Sequence, residues 1–202
     1  GVPSIERCIL PIIARFQQEH PKLQVIYRSD ERTYEMASGE AHIALRAGPR
    51  PSHPDYIVSP LVSHRVALYC TQAYIDAHGR PDSPDHLKGH RYIHGEGDYS
   101  RAPFNQWLSE RLSEDCFALR TPQPSVVYWS VMCGLGIGFL ARGSAERDLI
   151  ELFPDYAPPE WEVPLWVVTH VDLHRSSKVG SFARFIQGEA LKWEQSWRKT
   201  DP

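Results

Sequence analysis

The stretch Gly39-Glu40-Ala41-His42-Ile43-Ala44-Leu45-Arg46-Ala47-Gly48 decides how the chain reads. It predicts a helix stop at Gly39, a short buried strand through Ile43, Ala44 and Leu45, and an exit loop at Gly48-Pro49. Upstream, Ser4 is placed to cap a helix. Ile5, Cys8, Ile9, Ile12, Ile13 and Phe16 follow at helical spacing, with a kink expected at Pro11 and an end at His20-Pro21. Leu23 to Arg28 alternates as a strand, and Asp30 to Met36 reads as a second helix. Strand, helix, strand in that order predicts a parallel crossover unit. A strand at the centre of an open α/β sheet delivers its carboxyl end to the crevice where such sheets hold small molecules. The stretch therefore predicts the floor of a small-molecule site.

Downstream, Tyr56 to Leu61 and Arg65 to Cys70 read as two β-type runs, and Ala73 to His78 as a helix stopped by Gly79. Asp85 to Lys88 predicts one helical turn, Arg91 to Ile93 a strand, and Gly95 to Pro103 a long polar loop. Helices follow at Phe104 to Leu112 and at Pro124 to Met132, with a strand at Phe117 to Arg120 between them. Gly136 to Ala141 reads as a buried strand in which glycines relieve crowding, and Arg142 to Arg147 as a short helix. The acidic, proline-containing run Glu151 to Glu162 predicts a surface loop, Val163 to Thr169 a strand, and Val179 to Trp197 the closing helix. Two sets of α/β units, with the closing strand and helix returning to the first, predict two lobes.

The 202 residues are enough to bury a core, as one domain or two small lobes. A net charge of -3, from 22 basic and 25 acidic residues with no Lys/Arg run, argues against this chain holding DNA by itself. Cys8, Cys70, Cys116 and Cys133 match no zinc or redox spacing and predict buried, reduced thiols in a cytosolic protein. No apolar run reaches membrane-spanning length, and Gly1-Val2-Pro3-Ser4 is no signal peptide. This abrupt start predicts a fragment of a longer protein.

Read together, these residues resemble the effector-binding domain of LysR-type transcriptional regulators. Leu10-Pro11 through Phe16 and His20-Pro21 is similar to that family's opening helix. Gly39 to Gly48 is similar to its glycine, acidic residue, alternating aliphatics and arginine. Pro60-Leu61, Leu68-Tyr69-Cys70, Tyr74, His78-Gly79-Arg80-Pro81 and Leu87-Lys88-Gly89-His90 follow the family order. Gly134 to Leu140 resembles its late glycine-rich strand, and Leu152, Trp166 and the helix from Lys178-Val179 to Phe185 its tail. One position departs: His42 stands where the family usually has an aspartate.

The resemblance implies an α/β fold of two Rossmann-like lobes joined by two crossover segments, like type 2 periplasmic binding proteins. Lobe I is expected over residues 1–69 and 166–202 and lobe II over 70–165, with the effector held between them. It implies a winged helix-turn-helix domain upstream, DNA contact only through that domain, and a homodimer, with a tetramer open to the full-length protein. No cofactor, metal or membrane partner is expected, and the expected location is cytoplasmic.

The effector-binding candidates are Ser4, Ser29, Arg46, His94, Ser125 and Ile137. Ser4 and Ser125 open helices, whose free N–H groups suit an anion such as a carboxylate; Ser4 also serves as a plain cap. Ser29 follows a strand and carries the same two readings. Arg46 ends the central strand and suits either a ligand acid or an internal carboxylate. His94 ends another strand, as ligand donor or solvated side chain, and Ile137 lies in the glycine-rich strand. Arg142 is a weaker candidate, and Tyr128 and Trp129 are expected in the core.

Other chemistries do not fit. Gly134, Gly136 and Gly138 lack dinucleotide spacing. The pairs His86/His90 and His170/His174 have the spacing of a helical metal site, but Gly89 interrupts the first and the second follows a strand. No serine elbow or acid–base pair is present. Two alternatives remain on this fold: a secreted solute-binding protein of a transporter, and an enzyme, for which no catalytic set is found.

Overall fold

The computed structural model describes residues 3–29, 36, 38–142 and 148–197. The helices expected at Asp30 to Met36 and Arg142 to Arg147 lie almost wholly outside these. The chain divides into two compact units, one of Gly1–Ser4 with Arg65–Glu162 and one of Ile5–His64 with Val163–Pro202.

In the second unit, α1 (Pro3–Glu19) buries Ile5, Cys8, Ile9, Ile12 and Phe16, the stripe its spacing predicts. Pro11 lies on its exposed side, within a helix that runs through it. β1 (Ile43–Ala47) pairs antiparallel with β7 (Glu162–His170), Ile43 opposite Thr169 and Ala47 opposite Leu165. β7 in turn neighbours β2 (Tyr56–Thr71). The short α5 (Val171–His174) and the long α6 (Ser177–Trp197) close the unit. The Phe16 ring meets Phe182 and Phe185 of α6 at 4.5 and 5.3 Å, and Arg15 pairs with Glu189.

Three expectations change here. Leu23 to Arg28 is not a strand among the described residues: Ile26 and Tyr27 are 73% and 40% exposed, so alternation has no covered face to serve. Among the described residues β1 therefore pairs antiparallel, with β7, and has no parallel partner. Ile43, Ala44 and Leu45 are half-buried, as befits a strand with one ladder.

The first unit is built on α2 (Gln72–His78), β3 (Tyr92–Gly95), α3 (Pro103–Arg111), β4 (Phe117–Thr121), α4 (Pro124–Met132), β5 (Gly138–Ala141) and β6 (Leu149–Leu152). β3 and β4 are parallel, His94 opposite Arg120 and Gly95 opposite Thr121. Tyr92 bridges to Ile137 in parallel, with Ile137 N–H donating to the Arg91 carbonyl at 2.8 Å. β5 and β6 each pair antiparallel with the distal half of β2. Val127 and Val131 of α4 pack with Ile93, Tyr69, Leu140 and Leu149.

The two β-type runs expected at Tyr56 to Cys70 are one sixteen-residue strand, because Val62-Ser63-His64 contains no residue that breaks an extended chain. β6 has its second half, Glu151-Leu152, in the run expected as a loop; Leu68 opposite Leu152 buries its end. Asp85 to Lys88 forms turns only. Tyr128 is buried, but Trp129 faces outward with 61% exposure, being on the other side of α4. Cys8 and Cys70 are buried as expected; Cys116 is half-buried and Cys133 exposed, since both end short elements. No described helix is long and apolar enough to cross a membrane.

Candidate functional site

In the second unit the carboxyl end of β1 presents Arg46. Directly across the ladder stands Trp166 of β7, and both are half-buried. The Trp166 indole Nε1–H donates to the Gly48 carbonyl at 2.8 Å, and Gly48 N–H donates to the Pro164 carbonyl at 2.9 Å. Gly48 takes φ +96°, a left-handed turn that glycine makes without strain. Arg46 has no acidic partner among the described residues, so the internal ion pair considered from sequence finds no carboxylate there. Arg65 is another half-buried arginine without an acidic partner among the described residues. Sequence reading passed over it because it opens a strand run, and only the carboxyl ends of strands pointed to a site.

The first turn of α1 is organised by its own side chains. The helix opens at Pro3, so Ser4 sits inside the first turn, 5% exposed, and does not cap it. The Ser29 hydroxyl donates to Glu6 Oε1 at 2.8 Å. Burial pushes the Tyr27 phenol up in pKa; a hydrogen bond with Ser29 opposes this and the Glu6 charge adds to it.

In the first unit, parallel β3 and β4 end together, and α4 starts three residues after β4. Thr121 Oγ1 accepts from Gln123 N–H at 3.1 Å, and Ser125 is half-buried in the first turn behind Pro124. His94 is not solvated: it is 1% exposed, and its Nε2–H donates to the Asn105 carbonyl at 3.1 Å. Ser109 Oγ lies 2.8 Å from the same nitrogen, and the His94 ring packs on Phe117. His94 thus ties β3 to α3. Ile137 is fully buried and acts through the backbone bridge to Tyr92.

Ser29 therefore comes to the first turn of α1, Arg46 stands apart on β1 beside Trp166, His94 and Ser125 belong to the carboxyl end of the parallel β3–β4 pair, and Ile137 meets Tyr92 at the amino end of β3. Arg142 is taken by an internal acid: its Nε donates to Glu151 Oε1 at 2.9 Å, and Tyr69 donates to Glu151 Oε2 at 2.7 Å. His170 caps α5, accepting the Asp172 N–H at 3.3 Å, and His174 Nδ1 is 3.0 Å from Thr169 Oγ1. No cluster of three or more metal-ligating side chains occurs among the described residues.

Comparison with known proteins gives one consistent result. The family model for the LysR substrate binding domain matches residues 2–191. A probable HTH-type transcriptional regulator, LtrA of Klebsiella pneumoniae, is 26% identical over 191 residues, covering 88% of this chain and 60% of the relative. An HTH-type transcriptional regulator of Xanthomonas campestris is 30% identical over 85 residues, 42% of this chain and 24% of the relative. The chain thus spans 60% or less of the length of these relatives. Among solved structures, the CrgA regulatory domain of Neisseria meningitidis aligns with a TM-score of 0.78 at 20% identity, covering 94% of this chain and 95% of that one. Full-length AphB of Vibrio cholerae aligns at 0.68 and 17% identity, over 91% of this chain and 64% of that one.

Proposed function

The chain belongs to the LysR substrate-binding domain family, the effector-binding regulatory module of LysR-type transcriptional regulators and not a family of enzymes, and on that premise we propose that it senses a small anionic metabolite through Arg46. The observation that carries this is a half-buried arginine at the carboxyl end of β1 with no acidic partner among the described residues. Charge held partly away from water is costly unless something answers it. A carboxylate or phosphate ligand supplies that answer with paired hydrogen bonds.

Ser125, in the other unit, is a candidate anion contact of its own in the first turn of α4, where helix N–H groups favour an anion. Ser4, His94 and Ile137 are enclosed and contribute by holding backbone in place, and Ser29 does so through Glu6. The signal is a shift in lobe closure, biased by the effector's differential affinity for the two states. That shift passes to a homodimer and then to the DNA-binding segment of the full-length cytoplasmic protein, as the HTH-type relatives suggest. Apolar side chains left open on each unit, Leu10, Ile26 and Tyr27 on one and Trp129 and Leu135 on the other, support pairing with a second copy.

Thermal melting with a panel of metabolite acids tests this. A ligand at 100 times its Kd stabilises by about 2.7 kcal/mol and raises the midpoint. The wild-type chain should respond to at least one acid, and Arg46→Gln should not. A broad panel without a shift, or an equal shift in Arg46→Gln, overturns the reading.

A further inference from the structure

Resting on the anion reading above, we propose that the effector is an aromatic acid, its carboxylate on Arg46 and its ring against the Trp166 indole. Arg46 and Trp166 are direct partners across the antiparallel β1–β7 ladder. Such partners project from the same face, with Cβ atoms about 4.5–5.5 Å apart. The two side chains therefore leave the sheet next to each other on one face.

The indole is prepared as a wall. Its single polar atom is used up by the Gly48 carbonyl at 2.8 Å, which fixes the ring and leaves only π surface to offer. Among the described residues no other aromatic ring stacks on Trp166 and no cation sits over it. Trp107 and Trp161, by contrast, pack against each other with centroids 5.2 Å apart. The space beside the exit loop is open, since a Cβ built on Gly48 meets nothing within 4 Å.

An aliphatic acid satisfies Arg46 equally well but gains nothing from an indole face. Stacking adds roughly two- to tenfold in affinity for a ring of matching size. Trp166 is thus a specificity-determining residue, and Arg46 the anchor.

Benzoate, cyclohexanecarboxylate and benzylamine are suitable probes, read by tryptophan fluorescence and by melting of the whole chain. Benzoate should bind and perturb a fluorescence component that Trp166→Leu lacks, with cyclohexanecarboxylate several-fold weaker and benzylamine silent. Trp166→Phe, which keeps an aromatic face, should retain most of the benzoate preference, and Trp166→Leu should bind both acids alike. Equal binding of the two acids by the wild type, or an unchanged preference in Trp166→Leu, overturns the aromatic assignment while Arg46-dependent acid binding still stands. Benzoate binding that survives Arg46→Gln overturns both.

Discussion

The Ser29 hydroxyl donates to the Glu6 carboxylate at 2.8 Å, so the first turn of α1 already holds an anion supplied by its own chain. A carboxylate at that place opposes the positive end of the helix, and it takes up the hydroxyl that sequence reasoning had offered to a ligand. Glu6→Gln should cost about 0.5–1 kcal/mol in urea unfolding. Ser29→Ala should cost less, and the double variant should fall short of the sum. Strict additivity would show that the bond contributes nothing.

His64 lies within β2, 7% exposed, and burial holds its imidazole down from the ordinary 6.5 to about 4. Between those two values the unfolded chain binds a proton that the folded chain refuses. Stability should therefore fall as pH drops from 6.5 toward 4 and flatten below that, by at most about 3 kcal/mol from this group. His64→Gln should remove that part of the slope when urea midpoints are compared at pH 7, 5.5 and 4.5. Parallel curves for the two proteins would refute the assignment.

Gly95 has no room for a side chain. A Cβ there would lie 2.3 Å from Asn105 Nδ2 and 2.9 Å from the Tyr99 ring. Asn105 holds both neighbours, accepting Gly95 N–H at 3.4 Å and donating to the Tyr99 carbonyl at 2.8 Å, so it yields only by breaking these bonds. Gly95→Ala should lose about 1–3 kcal/mol. Gly136→Ala should lose at least as much, because its Cβ meets the Arg91 carbonyl, a backbone atom, at 2.6 Å. Denaturant midpoints equal to wild type would contradict the packing described.

The four thiols should differ sharply toward a water-soluble disulfide reagent. Burial pushes Cys8 up to about 12 and Cys70 up to about 11, whereas Cys133 is exposed. The thiolate is the reactive form, so Cys133 should give the fast phase in the folded protein and Cys8 and Cys70 should wait for unfolding. Cys133→Ser should abolish the fast phase; a fast phase that persists would place another thiol at the surface.

Most helices were legible because their burial is periodic: the α1 stripe from Ile5 to Phe16 is a matter of spacing alone. Glycine stops were legible for a related reason, since Gly79 and Gly134 take positive φ after α2 and α4; Gly39 also takes positive φ, but the helix expected before it lies almost wholly outside the described residues. Alternation was less informative. Leu23 to Arg28 alternates as well as a true strand does, yet a ladder needs a neighbour, and no local pattern encodes one. β6 shows the converse, a four-residue strand whose only signal is its partner in β2.

Arg46 and Ser125 were readable as ends of elements, whereas the environment of His94 was not. A histidine at the end of a strand reads as solvated unless one knows that α3 lies over it. Trp166 was visible only as a family-like residue in the tail. Its alignment with Arg46 depends on pairing between segments 120 positions apart in the chain, derived from the two residue numbers.

β2 belongs to both compact units, which meet in sequence between His64 and Arg65, and the return passage falls between Glu162 and Val163 at the head of β7. Neither passage is a loop. Protein dissection therefore has no tether to sever: excising residues 65–162 as an independent fragment would leave half a strand on each product, with raw ladder edges prone to sticking. The two halves are to be expressed, exchanged or grafted together or not at all.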